Sequence, residues 1–228
     1  AAAARGDSDG GGGAGASTSK ARAGDSRNSW QNALVRKALE PQKSPDNDVL
    51  KWNDRVVIIR DKYPKARAHA LVLARDPGLQ GPRNLRREHV PLLREMEAEG
   101  REWAQRMLAA TAADPRNAPA PFQIGFHTCP SMAQLHLHVI SRDFCSDSLK
   151  KKFHFHTFLE PFFLPIADAI AELEEHGQLA MEAREASAQA FLKGAPLDCH
   201  RCGYAAKNMP DLKRHLSTCA VVPPTWMS

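Results

Sequence analysis

Two histidines set one residue apart, His136 and His138, are the strongest chemical signal in the chain. They fall in Gln134-Leu135-His136-Leu137-His138-Val139-Ile140, where polar and apolar residues alternate. A period of two predicts a β-strand, with Gln134, His136 and His138 on one face and Leu135, Leu137 and Val139 on the other. The polar face then presents two imidazoles and an amide about 7 Å apart, roughly two strand rises. Three chemistries fit such a face. The histidines can be structural and hydrogen-bonded. They can form a metal pair, which needs a third ligand that no carboxylate in this strand supplies. Or one can be a nucleophile at phosphorus. A neutral imidazole, with a pKa of about 6.5, attacks at neutral pH, and a neighbouring imidazole can donate to the phosphoryl oxygens as charge develops.

A second cluster closes the chain. Cys199-x2-Cys202-x12-His215-x3-Cys219 has the spacing of a ββα zinc finger with cysteine in place of the final histidine. Asn208 or Met209 is positioned to cap a helix that Pro210 begins, which puts His215 and Cys219 on one helix face. One structural zinc ion is expected. Leu212 takes the place of the finger's core leucine. Ala206 stands where such fingers carry an aromatic, so the finger's own core is thin and is expected to lean on the rest of the chain. His200, adjacent to Cys199, is geometrically awkward as a ligand.

Elements that position these groups are legible between the clusters. Ser29 precedes Trp30, Leu34 and Val35 at helical spacing, predicting a short helix that Pro41 and Pro45 end. Val56-Val57-Ile58-Ile59 reads as a buried strand, followed by a turn at Asp61-Lys62-Tyr63-Pro64-Lys65, and residues 68–73 as a second strand. Leu92, Leu93, Met96, Trp103, Met107 and Leu108 recur at helical spacing within residues 85–113. Phe122 to Phe126 and Leu135 to Ser141 are two more strands, and residues 165–190 a helical stretch. Paired strands with one long helix between them predict an α+β domain with a mainly antiparallel sheet. Residues 1–28 are rich in Gly, Ala and Ser and are expected to be a disordered linker. The catalytic domain is then residues 29–190, and the finger with its tail residues 191–228.

Of the 228 residues, 43% are hydrophobic and 25% charged, as in ordinary globular domains. The net charge of +5 suits a polyanionic partner. No apolar run is long enough to predict a membrane span. The missing initial methionine suggests a piece of a longer protein. Three of the five cysteines cluster at the end, which favours metal in a reducing compartment over a disulfide framework.

The histidine strand resembles the motif of the histidine-triad (HIT) family, whose middle histidine is the nucleophile. Asp61-Lys62-Tyr63-Pro64-Lys65-Ala66-Arg67-Ala68-His69 and His127-Thr128-Cys129-Pro130-Ser131-Met132 resemble nucleotide-side segments of that family's DNA-deadenylating branch. The resemblance implies that His136 attacks an adenylate phosphorus, that His138 supports the phosphoryl oxygens, and that His127 assists departure of the DNA phosphate. It places Ser131, Met132, Lys65, Arg67, His69 and Gln134 at or beside the substrate, with Gln134 where the family usually has its first histidine. Trp30 matches an aromatic wedge against a terminal base pair. Lys152, in the run Lys150-Lys151-Lys152, and Lys213, beside Lys207 and Arg214, suit phosphate contacts. The implied activity removes AMP from 5′ ends and nicks left by abortive ligation, RNA–DNA junctions being a further substrate. Zinc is confined to the finger, the chemistry needs no metal, and the location is nuclear. A HIT hydrolase of small nucleotides, which has no use for a finger, and a non-catalytic nucleic-acid-binding module are the rival readings. As an appended module, the finger is expected to be dispensable for cleavage of a small adenylate.

Overall fold

The computed structural model describes residues 32–44, 47–111 and 121–219. Trp30, Ser29 and the 1–28 linker lie outside them. Six strands form one sheet: β1 Val49–Trp52, β2 Val56–Arg60, β3 His69–Ala74, β4 Phe122–His127, β5 His136–Ser141 and β6 Phe163–Pro165. Their order is β1-β2-β3-β5-β4-β6, every neighbouring pair antiparallel. The described α-helices are α1 Ala33–Leu39, α2 Val90–Thr111, α3 Lys152–His156, α4 Ile166–His176, α5 Met181–Leu192 and α6 Met209–Thr218. The α+β architecture with one long helix is the one expected from the sequence, and no described helix is long and apolar enough to cross a membrane.

Strands β2 to β5 are uninterrupted runs of β-branched, aromatic or alternating residues, and most of their side chains are buried. Two strands went unread. β1 is half-exposed and carries Lys51, and β6 is three residues long and ends in a proline. The long helix begins at Val90, after short 3₁₀ turns at Pro82–Asn84 and Arg87–His89. The helical stretch over residues 165–190 is two helices. Gly177, at φ 78°, ends α4 in the left-handed conformation, with its N–H donating to the Leu173 carbonyl at 2.9 Å. Asn32 sits at the start of α1 with no side-chain cap. The expected domain boundary between residues 190 and 191 falls inside α5.

Side chains alternate across the sheet and give it two packed faces. On one, Val56, Ile58, Ala70, Val72, Leu137, Val139, Ile124 and Phe126 pack against α2 and α4. The other face holds two smaller clusters. Val57, Ile59, Leu71 and Leu73 pack with Met132 and with Leu34 and Ala38 of α1. Ile140, Phe158 and Phe163 pack with Leu197, Met209, Leu212 and Leu216 of the cysteine-rich segment. In register, His138 lies opposite Leu71 and His136 opposite Leu73, so both histidines share this second face, between its two clusters. Gly125 is opposite His138. A Cβ there would run into the Leu164 carbonyl and come within 2.6 Å of the Phe163 ring, so only glycine lets β6 close against β4 beside the histidines.

Candidate active site

Four imidazoles converge on this face. His136 and His138 come from β5, His127 from the end of β4, and His69 from the start of β3. Ring centroids are 5.1 Å apart for His136 and His138, 5.3 Å for His69 and His138, and 4.0 Å for the stacked pair His127 and His138. Phe158 meets His69, His127 and His138 edge-on at 5.5, 4.8 and 5.5 Å and forms an apolar wall.

Backbone contacts fix where the protons sit. The Lys65 N–H donates to His69 Nδ1 at 3.3 Å, so that nitrogen carries a lone pair and Nε2 the proton. His69 Nε2–H then donates to His138 Nδ1 at 3.0 Å, which leaves the His138 proton on Nε2. That nitrogen is buried and has no hydrogen-bond partner among the described residues. His136 is set the opposite way. Its Nδ1 lies 2.8 Å from the Gln134 carbonyl, an acceptor only, so Nδ1 holds the proton and Nε2 the lone pair. The outcome is a ring nitrogen with its lone pair beside a committed N–H donor.

Burial keeps the cluster neutral. Desolvation lowers the pKa of His136, the Gln134 carbonyl partly opposing it. His138 and His127 are held well below 6.5 by burial first and by neighbouring imidazoles second. Burial brings His69 to about 4, despite Asp61 at 3.7 Å. Lys65 is half-buried, its pKa lowered by desolvation, and its ammonium donates to the Tyr63 carbonyl. Asp61, His69 and His138 also offer three donor atoms of metal-ligand type within 4.8 Å. The 3.0 Å bond between the two imidazoles, however, occupies one nitrogen of each.

Gln134 departs from the expected alternation. It precedes β5 and adopts a left-handed φ of 79°, so it does not share the face of His136 and His138. Its Nε2 instead donates to the carbonyls of Ala74 and Asp76 at 2.5 and 2.9 Å. The side chain ties the end of β3 to the start of β5 while the backbone carbonyl orients His136. Met132 packs in the apolar cluster beside His136, and Ser131 is exposed on the loop joining β4 to β5. Arg67 turns to Cys145 at 3.3 Å, and its N–H donates to Asp143 at 2.9 Å. Lys152 is exposed at the start of α3, and Lys213 donates to the Ser146 carbonyl at 2.7 Å. Phe158 escaped the sequence reading because a phenylalanine in His-Thr-Phe-Leu has no signal beyond ordinary core.

The donor atoms of Cys199, Cys202, His215 and Cys219 lie within 4.8 Å of one another. Cys199 Sγ and Cys219 Sγ are 3.9 Å apart, close to the roughly 3.8 Å between two thiolates on tetrahedral zinc. Cys202 Sγ is 3.1 Å from His215 Nε2, and three thiolates with one imidazole are a set that zinc favours. Gly203, at φ 77°, turns the chain so that its N–H reaches the Cys199 carbonyl at 2.9 Å. The Asn208 side chain caps α6, accepting from Asp211 N at 3.0 Å. Tyr204 stacks on His215 at 4.3 Å and donates to Asp211 at 3.1 Å, an orienting contact that the spacing did not reveal. His200 is turned away, its Nε2 3.1 Å from the Arg142 carbonyl.

A HIT-type fold with a buried histidine cluster and a C-terminal zinc finger is the class that this geometry defines. Residues 33–154 match the family "Scavenger mRNA decapping enzyme C-term binding", and residues 160–220 match the "C2HE / C2H2 / C2HC zinc-binding finger". The chain is 41% identical over 192 residues to Arabidopsis thaliana "Transcription factor bHLH140", covering 84% of this chain and 20% of that protein. It is 36% identical to Danio rerio aprataxin, covering 85% and 55% of the two chains, and 30% identical to the Schizosaccharomyces pombe aprataxin-like protein, covering 76% of each. The solved "aprataxin ortholog Hnt3 in complex with DNA" superposes with a TM-score of 0.60 at 27% identity, covering 82% of this chain and 92% of that one. The chain belongs to the aprataxin family of histidine-triad proteins. It spans a fifth to about half the length of the first two relatives above.

Proposed function

We propose that this chain removes AMP from adenylated 5′ ends of DNA through a covalent adenylyl-His136. His136 Nε2 attacks the AMP phosphorus, forming a P–N bond as the P–O bond to the DNA 5′-phosphate breaks. The imidazolium so formed keeps its Nδ1 proton on the Gln134 carbonyl. His138 Nε2–H, with Ser131 of the β4–β5 loop and Lys65, whose N–H bonds His69, holds the phosphoryl oxygens as negative charge grows on them. A 5′-phosphate leaves as an anion, so His127, which burial holds neutral, serves it as a hydrogen-bond donor. Water then attacks phosphorus, the P–N bond returns its electrons to Nε2, AMP departs, and the water proton goes to solvent. Zinc, held by Cys199, Cys202, His215 and Cys219, supplies folding energy to the finger and takes no part in these steps.

The observation that carries the chemistry is the tautomer pattern: a lone pair on His136 Nε2 beside an unpartnered N–H on His138. DNA as substrate is supported by the aprataxin relatives and by the DNA complex of Hnt3. Nicks, RNA–DNA junctions and a nuclear location belong to the same proposal. The test compares AMP release from adenylated nicked duplex with cleavage of adenosine phosphoramidate, for the parent and His136→Ala. The parent should prefer the DNA by kcat/KM, and the variant should lose both activities while binding duplex within a few fold. Cleavage of the phosphoramidate alone would make the chain a small-nucleotide hydrolase.

A further inference from the structure

β4 carries a glutamine whose side chain the chemistry above does not use. Gln123 pairs with Ile140 and Gly125 with His138, so alternation puts Gln123, Gly125 and His127 on the histidine face. Gly125 has no side chain, which makes Gln123 the next side chain along β4 from His127 on that face. Ile140, its partner in register, belongs to an apolar cluster with Phe158 and Phe163. The half-buried amide nonetheless has a polar partner there, since Gln123 Nε2 donates to the Phe158 carbonyl at 2.9 Å.

That carbonyl lies in the turn that follows α3, and Gln123 is its hydrogen-bond donor among the described residues. Toward α3 the turn is held by backbone: Phe158 N–H donates to the Phe155 carbonyl at 3.2 Å, and Leu159 N–H to the His156 carbonyl at 2.9 Å. Toward β4 it is held by Gln123. The Phe158 ring stands edge-on to His69, His127 and His138 and packs on Phe144 and Phe163 at 5.9 and 6.2 Å. A methionine at position 123 would fill a similar volume and leave the carbonyl without a partner. The wall could then move off the histidines and admit water to rings that burial keeps neutral.

We propose that Gln123 is a positioning residue: through the Phe158 carbonyl it holds the Phe158 ring against His69, His127 and His138 and keeps water from them. Its effect on turnover rests on the deadenylation reading, and its effect on the imidazoles does not. The test follows the imidazoles of the full chain by nitrogen NMR as pH falls, in the parent and in Gln123→Met. In the parent, His127 and His138 stay neutral well below pH 6.5. In Gln123→Met their midpoints should move up toward 6.5, while Asp61, Lys65, His69, His136 and His154, the titratable groups around the cluster, are all retained. On adenosine phosphoramidate, kcat should fall about threefold to tenfold, the worth of one neutral hydrogen bond, with KM within about twofold. Gln123→Asn, whose amide stops a methylene short of the carbonyl, should repeat the shift if Gln123→Met does not fold. Phe158→Leu should act in the same direction, and adding Gln123→Met to it should cost less than about twofold more, because the glutamine works through that ring. A lower Tm with unchanged midpoints and kcat, or independent costs in the double variant, would reduce Gln123 to satisfying a carbonyl and overturn the proposal. A parent that releases no AMP from DNA defeats the deadenylation reading instead, and the imidazole midpoints still decide the role of Gln123.

Discussion

At His136 the 2.8 Å contact with the Gln134 carbonyl assigns the Nδ1 proton, and at His138 the assignment comes from His69. Lys65 N–H, His69 and His138 form a relay whose last member presents its proton to the site. His69→Phe keeps an aromatic ring against Phe158 but removes the relay. It should lower kcat about tenfold to a hundredfold, part of what a lost oxyanion donor costs, with KM within about threefold. A KM effect with unchanged kcat would make His69 a binding group only. The same residue makes a stability prediction. Its folded pKa, about 4, lies below the ordinary 6.5, so the unfolded chain binds the extra proton first as pH falls. Its contribution is complete above pH 6.5 and is lost as pH falls from 6.5 toward about 4, reaching about 3 kcal/mol. Urea midpoints across this range should fall for the parent and fall less steeply for His69→Phe, in which the buried His127, His136 and His138 still titrate, and parallel curves would contradict the assignment.

The strands that carry these histidines were readable because β2 to β5 are long enough for their periods to show. What the pattern could not supply is a backbone exception. Alternation assumes extended residues, and nothing in Gln134-Leu135-His136 announces a φ of 79° at Gln134. The strand face was therefore right for His136 and His138 and wrong for Gln134. β6 was unreadable for another reason. Its three residues gain their strand character from Gly125, which leaves the space that the Phe163 ring and the Leu164 carbonyl fill. Gly125→Ala should force β6 away from β4, costing about 1–3 kcal/mol and lowering Tm by several degrees. Because Phe163 pairs with His127, kcat should fall as well. An unchanged Tm would show that the sheet edge yields without strain.

Over the whole molecule the finger and the catalytic face share one apolar cluster. Leu197, Met209, Leu212 and Leu216 pack with Ile140, Phe144, Phe155, Phe158 and Phe163, and Phe158 walls the histidines. Arg201 donates to the Leu216 and Cys219 carbonyls at 3.2 and 3.0 Å and to the Arg142 carbonyl at 2.9 Å, joining the end of α6 to the end of β5. The thin finger core foreseen from Ala206 is thus completed by the sheet. This changes what zinc loss should do. An appended module would leave small-adenylate cleavage intact. With the shared cluster, Cys199→Ser should lose zinc and lower kcat on adenosine phosphoramidate by about tenfold or more, in addition to its effect on DNA. Full activity on the small substrate, with zinc loss confirmed by metal analysis, would restore the picture of independent modules.

The proposed deadenylation requires His136 Nε2 to carry the adenylyl group between attack and hydrolysis. Its most direct measurement is mass spectrometry of the chain quenched without acid during turnover of adenylated nicked DNA. One adenylyl group is expected on the peptide that contains His136, and none in His136→Ala. An adduct on another residue, or rapid turnover by His136→Ala, would contradict it.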